Sequence, residues 1–246
     1  YDQFLTAEVR SRTSSQSESD TYYDLSSRLD GMLADPSVGL SGALAGFFNA
    51  VQDVANNPGS LPERQALLGE SQVLVDRFEY LDGRFRDLEQ ELNGRIEVTV
   101  AEINTLSRGI ADINQQIVQA SASTPGQAPN DLLDARDQML AQLSEKMQTS
   151  RSRFDGNALE VGVVGPSGIS TPLGRFLSGG ELGAMFDFRD QQLNPARDQL
   201  GLTAVGLATT FNEQHAAGLD LNGQPGGDFF NVPEPGFAAQ VNNAGS

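Results

Sequence analysis

No proline occurs between Arg64 and Ala120, and apolar side chains recur along that whole run at helical spacing. They fall first at Leu67, Leu74, Phe78, Leu81, Phe85, Leu88 and Leu92. They resume at Ile96, Ile103, Leu106, Ile110, Ile113 and Ile117. Steps that alternate between three and four residues make the seam of a helix packed in a bundle or coiled coil. Two consecutive steps of four, from Leu88 to Ile96, form a stutter that locally unwinds a supercoil. Thr99 stands where the pattern calls for an apolar residue. At about 1.5 Å per residue the run predicts a rod roughly 85 Å long. Asp82, Arg84, Asp87, Glu89, Gln90, Glu91 and Arg95 occupy its outer positions. A helix this long with one apolar stripe needs other helices laid along it. Such a shape is a scaffold, with little room for a deep catalytic cleft.

Composition narrows the function further. The chain has 246 residues, enough for one elongated domain or a bundle with a smaller attachment. It has no cysteine, which excludes disulfides and thiolate metal sites. Its formal net charge of −17 opposes binding to nucleic acid or anionic lipid. No apolar run approaches the ~20 residues that span a bilayer. The chain opens Tyr1-Asp2-Gln3-Phe4, without a methionine or a basic-then-apolar leader, and is expected to be an internal piece.

The segments around the rod read in order. Residues Tyr1 to Met32 predict a helix with apolar patches at Phe4, Leu5 and Val9 and at Tyr22, Leu25, Leu29 and Met32. The serine-rich middle between them is a possible break, because serine is a weak helix former. Ser41 to Ala55 predicts a second helix, with Ser41 as N-cap and Leu44, Phe47, Phe48, Val51 and Val54 inward. Asn56-Asn57-Pro58-Gly59 is a turn, and Pro62 suits the first turn of the rod. Beyond the loop from Ser121 to Pro129, Asn130 is expected to cap a helix reaching about Met147. Thr149 to Phe154 and Ala158 to Val164, around Asp155-Gly156-Asn157, predict a β-hairpin that must lean on the bundle. Helical spacing returns from Gly183 to Gln192. Asn194-Pro195 then looks like a cap and N1 proline opening a helix that ends near Ala217-Gly218. The Gly-, Asn- and Pro-rich remainder reads as a loop or the start of another domain.

Candidate chemistry is sparse. His215, the only histidine, lies near Glu213, but no serine or cysteine nucleophile stands in a recognisable context. It reads first as a helix-end histidine favoured by the macrodipole. Asp131, Asp134 and Asp137 could hold a hard cation, but they equally suit a helix start, with Arg136 as partner. Asp220, Asn222 and Asp228 faintly match a calcium loop yet lack its register and its distal glutamate. Gly179-Gly180-Glu181-Leu182-Gly183 fits neither dinucleotide nor P-loop spacing and reads as a flexible junction. No catalytic, cofactor-binding or metal-ligating residue is assigned.

Several runs together resemble the flagellar hook-associated proteins of the FlgK family, the first junction proteins between hook and filament. They are Tyr1-Asp2-Gln3-Phe4-Leu5, Ala55-Asn56-Asn57-Pro58 with Arg64, and Ile103-Asn104-Thr105-Leu106 with Ile110-Ala111-Asp112-Ile113-Asn114. Further along come Asn130-Asp131-Leu132-Leu133-Asp134-Ala135-Arg136-Asp137, Gly179-Gly180-Glu181-Leu182-Gly183, and Phe211-Asn212 with His215. Gly218-Leu219-Asp220-Leu221-Asn222-Gly223 leading to Phe229-Phe230 completes the set. The resemblance implies an extracellular structural subunit of the bacterial flagellum, exported unfolded through the flagellar type III apparatus. It implies the hook protein, the second junction protein FlgL and further copies of the same chain as partners. The family's terminal polymerisation segments have no counterpart here. A monomer is therefore expected, and the export chaperone FlgN would bind only through the absent C-terminal segment.

The expected fold is mainly α, an elongated antiparallel helical bundle around one long helix with a small β-hairpin appendage. Its expected parts are a bundle over 1–148, a β element over 149–180, returning helices over 181–217, and a loop opening an incomplete projecting domain over 218–246. A junction subunit without catalysis is the expected function. Another flagellar axial subunit, or a signalling coiled coil, stays open as an alternative.

Overall fold

The computed structural model describes residues 3–34, 39–123, 129–148, 179–220 and 222–232. Among these the protein is helical: α1 (Gln3–Ala34), α2 (Leu40–Asn56), α3 (Leu61–Ser123), α4 (Asn130–Lys146), α5 (Gly180–Phe188) and α6 (Asn194–Ala216). A π-helical turn, Arg189–Leu193, joins α5 to α6. The hairpin expected over 149–164 lies outside the described residues. Among those described there is no sheet and one isolated bridge, Leu219 to Pro225, so they give the β appendage no support.

The chain packs as two units. One comprises 1–39 and 83–195, the other 40–82 and 196–246, and α3 contributes to both.

The seam of α3 is legible in its burial. Leu74, Leu81, Phe85, Leu92, Ile103, Ile110 and Ile117 are all buried, Phe85 and Leu92 completely. Thr99 is 2% exposed, so it does occupy the apolar position it interrupts. Leu88 is only half-buried. The helix is 63 residues long and begins where Pro62 fits, in the first turn. Arg64 Nε donates to the Pro58 carbonyl at 2.9 Å, fixing the turn before it.

In the first unit α1, α4 and α5 pack with the later part of α3. Leu25 and Leu29 of α1, Leu140 and Leu143 of α4, and Leu182, Met185 and Phe188 of α5 are buried. The serine-rich middle of α1 does not break the helix, and Ser14 itself is buried. Of the early patch, however, Leu5 and Val9 are 58% and 61% exposed. Neither expected cap forms. Asn130 is the first residue of α4, after Pro129, and Ser41 lies one residue inside α2.

Asn194 does not cap a new helix either. Its φ of −63° and ψ of −49° continue the one before, and its N–H bonds the Arg189 carbonyl five residues back. Pro195 has no N–H to give, so an α-helical ladder is broken there regardless of capping. The wider turn absorbs that break. It also keeps Phe188 and Leu193, five residues apart, both buried. Gln192 Nε2 then donates to the Tyr22 hydroxyl at 2.8 Å.

In the second unit α2, the first part of α3 and α6 enclose a core of Ala43, Phe47 and Leu74. Leu67, Phe78, Leu207, Phe211, Phe229 and Phe230 pack against it.

Candidate functional site

Two constellations of polar side chains stand out, one in each unit. In the first unit, ion pairs run across four helices. Arg28 Nη1 of α1 lies 2.6 Å from Glu91 of α3, and Arg95 Nη1 of α3 lies 3.4 Å from Asp24 of α1. Arg95 Nη2 also reaches Glu181 of α5 at 3.4 Å. Lys146, in the last turn of α4, holds Glu102 at 2.8 Å and Glu181 at 2.9 Å. Partial burial lowers the Lys146 pKa, but hydrogen bonds and charge from Glu102 and Glu181 outweigh it, so the net shift is upward. Individually such pairs are worth about 1 kcal/mol or less. Their arrangement fixes the register of four helices.

Gly179 and Gly180 are why Glu181 can sit there. Both have positive φ, 74° and 62°. A Cβ on Gly180 would lie 2.5 Å from the backbone of Lys146 and Met147. The glycine cluster is thus a close approach between the end of α4 and the start of α5, and not the flexible junction expected from sequence.

In the second unit the chain turns back after α6 and is clasped. Asn212, 9% exposed, accepts the N–H of Phe229 at 2.9 Å and of Phe230 at 2.8 Å through Oδ1. Its Nδ2 donates to the Phe230 carbonyl at 2.8 Å. His215 Nδ1 lies 2.6 Å from the Gly227 carbonyl. A carbonyl only accepts, so Nδ1 carries the proton. The His215 ring stacks on Phe211 at 6.3 Å and meets Phe229 edge-on at 5.7 Å.

Asp220 shapes the reversal. Its Oδ1 accepts the N–H of Asn222 and of Gln224, each at 2.8 Å. Led by the Gln224 bond, these hold its carboxyl below the ordinary value. That is an Asx-type turn.

The remaining candidates weighed from the sequence stand as follows. Asp131 and Asp134 are exposed, and Asp137 lies 3.6 Å from Arg136. Asp228 is exposed. Among the described residues no group of three or more His, Asp or Glu side chains could hold a metal. His215 is engaged by a backbone carbonyl instead of Glu213. No described helix is long and apolar enough to cross a membrane. In the sequence Asn212 stands out only as part of the Phe211-Asn212 run. Its partners are backbone groups 17 and 18 residues away, so no local sequence signal marks it.

The model of the flagellar hook-associated protein FlgK helical domain matches residues 26–169 and 147–230. The chain belongs to this family. It is 33% identical over 276 residues to flagellar hook-associated protein 1 of Salmonella typhimurium, covering 99% of this chain and 50% of that protein. The Escherichia coli protein of the same description is 30% identical, covering 100% of this chain and 51% of its own length. That of Bacillus subtilis is 24% identical, with coverages of 100% and 60%. The chain therefore spans about half the length of the first of these relatives. The solved structure of the flagellar hook junction protein FlgK from Burkholderia pseudomallei superposes with a TM-score of 0.80 at 29% identity, over 92% of this chain and 47% of that one.

Proposed function

We propose that this chain is part of a structural subunit of the bacterial flagellum, seated where hook meets filament, and that it catalyses no reaction. The observation that carries this reading is the likeness of its helical architecture, over 92% of the chain, to a hook junction protein. The physical design supports it. A joint between two tubes must resist bending and torsion. A 63-residue helix flanked by others, and ion pairs spanning four helices, suit that task.

In the finer reading its partners are the hook protein, the second junction protein FlgL and further copies of itself. It works outside the cell after export in an unfolded state. The cysteine-free composition fits that route, since no disulfide has to form after export. The chaperone FlgN engages a C-terminal segment beyond this chain. The chain after 217 leads into a projecting domain. By itself the chain is monomeric, so light scattering gives the mass of one copy; a stable ring contradicts that part.

Gold-labelled antibody raised against this chain tests the main reading by electron microscopy of the source bacterium. Label confined to the hook–filament boundary is expected. Label along the filament favours another axial subunit. Label at cell-surface receptor clusters favours a signalling coiled coil.

A further inference from the structure

We propose that residues 218–232, residue 221 aside, form a strap that closes one side of the α2, α3 and α6 core. Asn212 is the positioning residue that latches it to the last turns of α6. The inference stands on the second unit alone and does not depend on which assemblies the protein joins.

The latch is addressed to backbone. A single carboxamide bonds the N–H groups of Phe229 and Phe230 and the carbonyl of Phe230. Both ends of the amide are thereby used, and the latched strap leaves neither end unpaired. Those bonds orient the two phenyl rings. Phe230 packs 5.8 Å from fully buried Phe47 and 5.7 Å from Phe211, while Phe229 lies 5.0 Å from Phe211. Aromatic pairs at these separations and steep angles are favourable beyond the area they bury.

A second attachment lies nearer the turn. His215 Nδ1–H donates to Gly227, and Gly226 N–H donates to the Gly218 carbonyl at 3.1 Å. Gly226 passes so close that any Cβ there would collide with the His215 carbonyl. The turn itself is set by Asp220, by the Asp220 N–H to Gln224 carbonyl bond of 2.7 Å, and by the Leu219–Pro225 bridge. The strap is thus held at two points on one helix end by bonds that local sequence alone does not provide. It opens as a unit when one of them is lost.

Hydrogen–deuterium exchange on the 246-residue chain tests this with Asn212→Ala and, independently, Gly226→Ala. Peptides from 222–232 are expected to exchange about tenfold faster in both variants, while peptides from α2 and the first half of α6 keep wild-type protection. Gly226→Ala leaves Asn212 untouched and keeps the test valid where loss of the carboxamide prevents folding. Wild-type protection of 222–232 in either folded variant overturns the proposal. Simultaneous loss of protection in α2 and α6 overturns it too, since the segment would then be core and not a strap.

Discussion

The Lys146 ammonium lies 2.9 Å from the Glu181 carboxylate, joining the last turn of α4 to the first turn of α5. Glu181 also receives Arg95 from α3, so one carboxylate serves two helices besides its own. Glu181→Gln is expected to cost about 1 kcal/mol at neutral pH, measured by urea denaturation. The pH dependence has a definite sign. Lys146 binds its proton more tightly in the folded chain than its ordinary 10.5. Its contribution is present in full below that value and is lost as pH rises through the higher folded pKa. The stability gap between wild type and variant should therefore stay level from neutral pH to about 10 and shrink above it. A gap that grows as pH rises above about 10 contradicts the assignment.

The seam of α3 predicts a contrast between neighbours. Leu92 is fully buried, and Leu92→Ala should cost ~2–5 kcal/mol. Leu88, one step earlier, is half-buried, and its replacement should cost about half as much. Thermal denaturation of the pair separates them. Equal losses mean that the seam turns differently from the one described.

Two glycines in helices should respond in opposite directions. Gly180→Ala puts a side chain at a φ of 62° and 2.5 Å from the Lys146 backbone, an expected loss of ~2–4 kcal/mol. Gly94, inside α3, meets nothing within 4 Å of an added Cβ. Gly94→Ala should stabilise by ~0.5–1 kcal/mol. Chemical denaturation checks both, and stabilisation by both substitutions contradicts the close approach of α4 to α5.

Glu18 on α1 titrates above its ordinary 4.5, first because it is partly buried and then because Asp187 of α5 repels its charge. The folded chain therefore holds that proton more tightly than the unfolded one, and ionisation of Glu18 weakens the fold as pH rises past 4.5. Glu18→Gln removes the charge. It should stabilise by about 0.5 kcal/mol at pH 7, a figure kept small because solvent screens the site. The gain should vanish below pH 4.5, where both states of the wild type are protonated.

What could be read in advance follows how local the cause is. The α3 seam is a periodic pattern within one helix, so its extent was legible to within three residues at each end. Pro62 and the Asn-Asn-Pro-Gly turn act on their immediate neighbours and were legible too. Asn194-Pro195 misled because a proline after an asparagine suits a cap as well as a π-turn. The burial of Phe188 and Leu193, which favours the π-turn, depends on packing that spacing does not specify. Leu5 and Val9 sit at helical spacing, yet both are more than half exposed. Asn212 was illegible as a latch because its partners are backbone groups 17 and 18 residues away. The Gly179-Gly180 pair showed where the chain needs freedom but not that the α4 backbone demands it.

The most direct test of the account is residue-resolved amide exchange along Leu61–Ser123 by NMR. It asks whether this is one helix sheathed on its seam. The account predicts continuous protection between the frayed first and last turns, with Leu74, Leu81, Phe85, Leu92, Ile103 and Ile110 among the slowest amides. A fast-exchanging gap within that span would break the helix into shorter pieces and contradict it.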